Sequence, residues 1–162
     1  MGLDMYLYRK EYVSTFAWSQ SGDVVKDERA VKEANLHSVI ANHFNIDPSM
    51  SGVYVDYCVA YWRKANAIHG WFVDLDGGRD ECQPINVSLD QLKELRELAN
   101  SVVLTPAMAG DILPPQEGFF FGSSDIDEWY ISDMKKTVEM LDKVISSVSP
   151  NEYSSFFYQA SW

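Results

Sequence analysis

The chain opens with a strict alternation of apolar and polar residues. Every second residue from Leu3 to Leu7 is aliphatic, whereas Asp4, Tyr6 and Tyr8 occupy the positions between and after them. A period of two residues is typical of a β-strand with one buried face, here aliphatic, and one polar-aromatic face. The pattern therefore predicts a strand at the start of the chain.

Apolar residues at helical spacing predict four helices. They run from Glu28 to about Phe44, from about Val59 to Val73, from Ser88 to beyond Val102, and from Ser124–Asp125 to about Val148. The third helix opens with a capping box of Ser88 and Gln91 and turns Leu92, Leu95, Ala99 and Val102 inward. The fourth has the longest inward stripe, consisting of Tyr130, Met134, Val138, Leu141, Ile145 and Val148. In the first helix Asp27 is the predicted N-cap, His37 faces solvent, and the inward residues are Val31, Ala34, Ile40 and Phe44.

Short apolar runs predict the remaining strands, and turn-forming residues mark the loops. The strands are an extended piece over Val53–Tyr57, then Ile85–Val87, the glycine-bounded Gly118–Gly122 and Phe156–Tyr158; residues 12–18 extend or pair with the first strand. Loops are predicted over residues 21–27, 74–80 and 105–116. Because the elements lack a βαβ rhythm, we predict an α+β fold, in which residues 1–162 form one globular domain with a mainly antiparallel sheet packed against three to four helices.

The net charge of the chain limits the classes of molecule that we expect it to bind. It has 13 Lys+Arg and 24 Asp+Glu, a formal net charge of −11. Nucleic-acid phosphates and anionic membranes are bound through cations, so we expect neither partner. The charge fits plain solubility or attraction to a basic protein surface. No apolar run reaches the length of a membrane span, and Cys58 and Cys82 fit reduced thiols better than a disulfide.

The most informative segment runs from residue 61 to residue 72. On a helical wheel its core face consists of Tyr61, Ala65, Ile68 and Phe72, and a second stripe consists of Trp62, Asn66 and His69. The second stripe either forms the wall of a ligand pocket or partner surface, or packs under the sheet with its polar groups hydrogen-bonded internally. Arg63 and Lys64 either recognise a carboxylate or phosphate or pair with nearby acids.

Motifs for a reaction, a metal or a cofactor are missing from the sequence. Asp74, Asp76 and Asp80 lack the spacing of a calcium loop, and the three histidines lack zinc spacing with either cysteine. The chain has neither a nucleophile elbow nor a kinase or dinucleotide signature. We therefore expect no metal ligands, no cofactor and no catalytic residues, and we favour a binding protein over an enzyme.

Four motifs resemble, in the same order, those of a family of small phage and prophage proteins. They are the opening MGLDMYLY, the block YWRKANAIHGWFV, the segment GFFFGS and the ending FYQASW. The resemblance implies expression in an infected bacterium, and hence the host bacterial cytoplasm, and it implies no reaction or cofactor. Polar members of these motifs need mutual hydrogen bonds or a ligand if they are buried. The candidate ligand- or partner-binding residues are Asp4, Tyr6, Trp62, Arg63, Asn66, His69, Ser123 and Trp162.

Three functions follow as hypotheses. The leading one is a non-catalytic phage or prophage accessory protein that binds and inhibits a bacterial protein, such as a component of anti-phage defence or another host process. The alternative is a small-molecule binder that sequesters a nucleotide-like signal between aromatic faces. The third is a hydrolase or transferase that uses His69.

Overall fold

The computed structural model describes residues 2–13, 28–47, 52–149 and 155–162. In chain order the elements are β1 (Asp4–Val13), α1 (Glu28–His43), β2 (Val53–Arg63), α2 (Asn66–Leu75), β3 (Ile85–Val87), α3 (Leu89–Leu104), a 3₁₀ turn (Pro106–Met108), α4 (Ala109–Ile112), α5 (Glu128–Ser146) and β4 (Ser155–Ser161). Helices hold 49% and strands 23% of the described residues, which confirms the predicted α+β class. The predicted pairing over residues 14–18, the loop over residues 21–27 and the Asp27 cap lie outside the described residues.

The four strands form one antiparallel sheet in the order β2-β1-β4-β3. β4, the last strand in the sequence, lies between the first and the third, so the C-terminal segment is central to the sheet. The register of its outer pair places Ile85 opposite Tyr158 and Val87 opposite Phe156. The sheet order therefore brings the end of the chain beside its beginning.

Alternate residues of the strands are buried on one face of the sheet. They are Met5 and Leu7 of β1, Ala60 and Trp62 of β2, Ile85 and Val87 of β3, and Phe156, Tyr158 and Ala160 of β4. These side chains share a core with residues of four helices, among them Ile68 and Phe72 of α2, Leu92 and Leu95 of α3, Ala109 of α4, and Met134 and Leu141 of α5. The predicted aliphatic face of β1 is thereby confirmed, since period-two alternation places its side chains on the helix-covered side.

α3 and α5 follow the sequence pattern closely. The Ser88 hydroxyl accepts the Gln91 N–H at 3.1 Å and the Gln91 side chain accepts the Ser88 N–H at 2.8 Å, which confirms the capping box. The predicted inward residues of α3 are all buried, and those of α5 are buried or packed against the core. The two helices pack on each other, with the guanidinium of Arg96 2.8 Å from the carboxylate of Asp142.

The glycine-bounded segment Gly118–Gly122 forms a turn, so the predicted strand is wrong. The N–H of Phe121 donates to the carbonyl of Gly118 at 3.1 Å, and Phe119 is 95% exposed. A Cβ added at Gly118 would lie 2.3 Å from the Phe121 ring. The turn therefore depends on the missing side chain of Gly118, a requirement that hydrophobic periodicity does not reveal.

Two details of the helices also differ from the prediction. α5 begins after Asp127, whose side chain accepts the first backbone N–H groups, and not at Ser124–Asp125. In α1, His37 is buried and Phe44 is 65% exposed. The reason is that His37 shares a helical stripe with the buried Ala41, four residues on, whereas Phe44 follows the last helical residue.

Internal packing divides the chain into two compact units, residues 1–9 with 57–162, and residues 10–56. All of the site residues predicted from the sequence belong to the first unit. The expectation of one domain over residues 1–162 stays a prediction. In the described part of the chain, each helix is too short or too polar to cross a membrane.

Candidate functional site

The Trp62/Asn66/His69 group comes from a strand and a helix joined by a sharp turn. β2 continues to Arg63, and Lys64 then has a φ of 59°. Left-handed backbone at a residue with a side chain costs roughly 1–2 kcal/mol, and here it redirects the chain into α2. The predicted helix from about Val59 is therefore wrong in its first half: Trp62 belongs to β2. The same correction applies to the predicted core face, because Tyr61 is 44% exposed.

The side chain of Trp62 makes its contacts within the protein. Its side chain is buried, and its indole N–H donates to the hydroxyl of Thr137 at 2.9 Å. That hydroxyl donates to the carbonyl of Asp133 at 2.7 Å. Trp62 thus joins β2 to α5, and its polar group has a partner that a sequence pattern on one helix would not show.

Asn66 holds the loop that precedes α5. Its side-chain amide donates to the carbonyl oxygens of Ser123 at 2.7 Å and Phe121 at 3.4 Å. The Ser123 hydroxyl accepts a hydrogen bond from the backbone N–H of Asp125 at 3.0 Å. It donates one to the side-chain carboxylate of Asp125, also at 3.0 Å. The structure therefore brings two predicted site residues, Asn66 and Ser123, into direct contact.

His69 lies at the centre of a buried hydrogen-bond network. Its ring is 1% exposed, with Nδ1 2.7 Å from the Tyr158 hydroxyl and Nε2 3.0 Å from the carboxylate of Asp80. The indole N–H of Trp162 donates to the other oxygen of Asp80 at 3.3 Å. A neutral imidazole that carries its proton on Nε2 satisfies both neighbours, because the carboxylate accepts and the tyrosine hydroxyl donates.

Tyr158 keeps its proton in this network. Burial is the main cause that raises the pKa of Tyr158 far above its usual range, with a smaller contribution from the charge of Asp80. Its ring stacks on Phe72 with centroids 4.0 Å apart. Both nitrogens of His69 are thus engaged in a closed environment, which favours internal hydrogen bonding over catalysis by this ring.

A cavity of about 380 Å³ lies beside the turn at Lys64. Its lining includes Arg63, Asn66 and Ser123, three of the predicted site residues, together with Lys64 and Trp129. This volume lies within the range of small-molecule sites in proteins. The cavity therefore brings together three of the eight predicted site residues.

The carboxylates of this cavity are already engaged. Asp127 accepts two backbone N–H bonds as the N-cap of α5, and Asp125 is held by Ser123. Asp133 pairs with Lys136 at 3.5 Å, and burial, the largest cause, raises the pKa of its carboxyl group. Each of these acids has a local partner in the cavity wall, and none of them makes an ion pair with Arg63 or Lys64.

Arg63 and Lys64 are the two cations at the turn, and of these only Arg63 has an acidic partner among the described residues. The guanidinium of Arg63 reaches Asp4 only at 4.0 Å, and its side chain is 64% exposed. Among the residues that the structure describes, Lys64 makes no ion pair. The sequence hypothesis that these cations pair with nearby acids is therefore confirmed for Arg63, through Asp4, and not for Lys64.

The sheet face opposite α2, α3 and α5 carries a row of aromatic rings. Tyr61, Tyr6, Tyr8 and Phe157, which we call the aromatic row, cross β2, β1 and β4 with successive centroids 5.2, 6.0 and 4.9 Å apart. The carboxylate of Asp4 accepts a hydrogen bond from the Tyr61 hydroxyl, and this bond raises the pKa of Tyr61. Asp4 and Tyr6 therefore belong to this face and not to the His69 network.

Several residues of these arrangements were not among the predicted site residues. Thr137, Asp80 and Tyr158 complete the buried network, and Lys64 and Trp129 complete the cavity. One signal was present, because Tyr158 is an inward-facing tyrosine in a strand whose other inward residues are apolar, and a buried hydroxyl needs a partner. The φ of Lys64 has no signal in the sequence, since left-handed backbone usually falls on glycine or asparagine.

Among the described residues, no group of three or more His, Cys, Asp or Glu side chains is placed to hold a metal ion. Comparisons with protein-family models, with curated proteins and with solved structures gave no match. The resemblance to small phage and prophage proteins therefore stays a prediction from the sequence motifs.

Proposed function

We propose that this chain is a non-catalytic phage or prophage accessory protein that binds and inhibits a bacterial protein, with a component of anti-phage defence as the partner class. The observation that carries the proposal is the aromatic row on the sheet face opposite α2, α3 and α5. Its four rings contact one another across three strands, and Tyr61 at its end is 44% exposed. Tyrosine and phenylalanine are enriched where proteins meet proteins.

The row is an ordered surface. Asp4 fixes the Tyr61 hydroxyl, and the rings of Tyr8 and Phe157 stack at an interplanar angle of 16°. A binding surface that is ordered before association loses less side-chain entropy on binding. The opposite face of the same sheet packs into the core.

The negative net charge of the chain supports a partner whose binding surface is positively charged. The chain carries −11, and such an excess speeds encounter with a positively charged surface and disfavours acidic ones. Association is then expected to slow as salt is added, because charges more than about 8–10 Å apart are screened at physiological ionic strength. The resemblance to phage and prophage proteins supplies the setting, the cytoplasm of a bacterial host.

Two predicted binding residues, Trp62 and His69, have internal partners, and His69 is also the residue that the hydrolase or transferase hypothesis requires. Trp62 and His69 direct their polar atoms at Thr137, Tyr158 and Asp80. A general base needs a nitrogen within reach of a substrate proton, and His69 offers neither nitrogen. The geometry accordingly gives the hydrolase or transferase hypothesis no support.

Affinity capture from a bacterial lysate tests the proposal. The immobilised protein should retain one host protein in stoichiometric amount. Tyr61→Arg places a cation in the row and should reduce that capture at least tenfold, about 1.4 kcal/mol of binding free energy. Leu104→Arg is the matched control, since Leu104 is 74% exposed on α3, which packs on the other face of the sheet. Capture of no stoichiometric protein, or equal capture by both variants, would refute the proposal.

A further inference from the structure

We propose that the cavity beside Lys64 is a second binding site, which takes a nucleoside monophosphate. The phosphate would meet Arg63 and Lys64, and the base would lie against the indole of Trp129. This site does not depend on the aromatic row, so the inference goes beyond the proposed function. It gives a defined place to the nucleotide-like ligand that the sequence suggested only in general terms.

Lys64 is the first observation in support of this site. Its φ of 59° is a conformation that glycine or asparagine adopts at lower cost. Its stem lies between two glycines: a Cβ added at Gly2 would be 3.1 Å from Lys64 Cε, and one added at Gly122 would be 3.4 Å from Lys64 Cβ. The fold thus places a lysine, with room for its stem, where a glycine would be less strained. Strained residues of this kind cluster at ligand sites.

The charges of the cavity are the second observation. Among the described residues Lys64 makes no ion pair, and Arg63 makes one only at 4.0 Å, to Asp4. Asp125, Asp127 and Asp133 are each held by a hydrogen bond or an ion pair with another group. Two adjacent cations of this kind suit a phosphate dianion, and an arginine provides a fork of donors for its oxygens.

Trp129 is the third observation. It follows the N-cap residue of α5 by two positions and is 77% exposed, although an indole is normally at least half covered in a folded protein. An exposed indole on the rim of a cavity offers a flat surface on which any nucleobase stacks. Ser123 and Asp125 on the same wall provide oxygen atoms for the hydroxyl groups of a ribose.

The two cations and the indole together distinguish a nucleotide from a free phosphate or a free nucleoside. Inorganic phosphate would use only Arg63 and Lys64, and a free nucleoside would use only Trp129 and the polar wall. Because the two contacts lie in one cavity of about 380 Å³, a ligand that joins a base to a phosphate gains both without a second loss of translational freedom. We therefore expect affinity to require both parts.

Calorimetric titration of the whole protein with AMP, GMP, CMP and UMP tests the site. At least one nucleotide should bind saturably, and at least tenfold more tightly than its nucleoside, ribose 5-phosphate or inorganic phosphate. Amide shifts in NMR spectra during the titration should centre on residues 64–67 and 122–125. Failure of all four nucleotides to saturate at millimolar concentration, or shifts centred elsewhere, would overturn the proposal.

Single-residue variants test which residue contacts the phosphate and which contacts the base. Lys64→Gly relieves the backbone strain and should weaken nucleotide binding about tenfold or more, because a charge-assisted contact is lost. Trp129→Ala should weaken it comparably, with less effect on inorganic phosphate. The matched controls are Lys135→Ala, a lysine of α5 outside this cavity, and Phe119→Ala, an aromatic that is 95% exposed.

The controls also separate this site from the proposed function. Tyr61→Arg should leave nucleotide affinity unchanged, and Lys64→Gly should leave capture of a host protein unchanged. Nucleotide binding that survives both Lys64→Gly and Trp129→Ala would refute the site, whatever the result of the capture experiment.

Discussion

At the scale of single residues, the His69 network depends on one hydroxyl. The Tyr158 O–H is the donor that satisfies His69 Nδ1 inside the core, and Tyr158→Phe would remove it while the ring still stacks on Phe72. A buried acceptor left without a partner costs about 1–3 kcal/mol. We expect Tyr158→Phe to lower the free energy of unfolding by that amount in urea denaturation.

Tyr61→Phe is the control for that measurement. Its hydroxyl donates to Asp4 at a half-exposed position, where water replaces the lost partner, so the expected loss is below about 1 kcal/mol. Equal losses for the two variants would mean that the His69 network contributes no more than a surface hydrogen bond.

Tyr130 makes a prediction about alkaline pH. Its hydroxyl donates to the carbonyl of Leu113 at 2.6 Å, and burial raises the pKa of Tyr130 to about 12. An unfolded tyrosine loses its proton near pH 10. The contribution of Tyr130 to stability is therefore complete below about pH 10 and is lost as the pH rises through about 12.

Urea denaturation at a series of pH values checks this sign. The unfolding free energy should fall between about pH 10 and 12, since the unfolded chain then binds fewer protons than the folded one. Tyr130→Phe should be less stable at neutral pH and should show a shallower fall over this interval. An unchanged slope in the variant would contradict the assignment.

The left-handed backbone at Lys64 should lower the free energy of unfolding of the protein. Lys64→Gly relieves the left-handed strain and is expected to raise the free energy of unfolding by up to about 1 kcal/mol. Lys64→Ala is the control, because it removes the same charge but keeps the strain. A gain that is equal in both variants would assign the effect to charge instead of backbone geometry.

At the scale of elements, the sequence predicts well where one local pattern determines the structure. α3, α5 and β1 have clear periodicity, and their inward residues are buried or packed against the core as expected. The prediction from sequence is wrong where a contact between residues far apart in the chain determines the local structure. β2 extends to Arg63 because it pairs with β1 in the sheet, which overrides the helical spacing of residues 61–73.

The capping box of α3 gives a prediction at this scale. Ser88→Ala removes the hydroxyl that accepts the Gln91 N–H and should lower the unfolding free energy by about 1 kcal/mol. Ser101→Ala on the same helix is the control. The Ser101 hydroxyl only bonds back to the carbonyl of Glu97, so thermal denaturation should show little change. A change for Ser101→Ala as large as that for Ser88→Ala would argue against the cap.

At the scale of the whole molecule, the sequence predicts the site only in part. It singled out the segment around residues 61–72, because polar and aromatic residues are concentrated there. It assigned those residues to one stripe, whereas the structure divides them among the buried network, the cavity and the sheet face that carries the aromatic row. That division depends on the turn at Lys64 and on contacts with Thr137, Asp80 and Ser123, which lie far away in the sequence.

The central claim is that the protein acts by binding another protein through its aromatic row. Native mass spectrometry of the protein purified from phage-carrying bacterial cells tests it most directly, with the wild type and Tyr61→Arg measured side by side. The account predicts a stoichiometric complex with one host protein for the wild type and its loss in the variant. A wild-type protein recovered without any protein partner, or a complex that persists in Tyr61→Arg, would contradict the account.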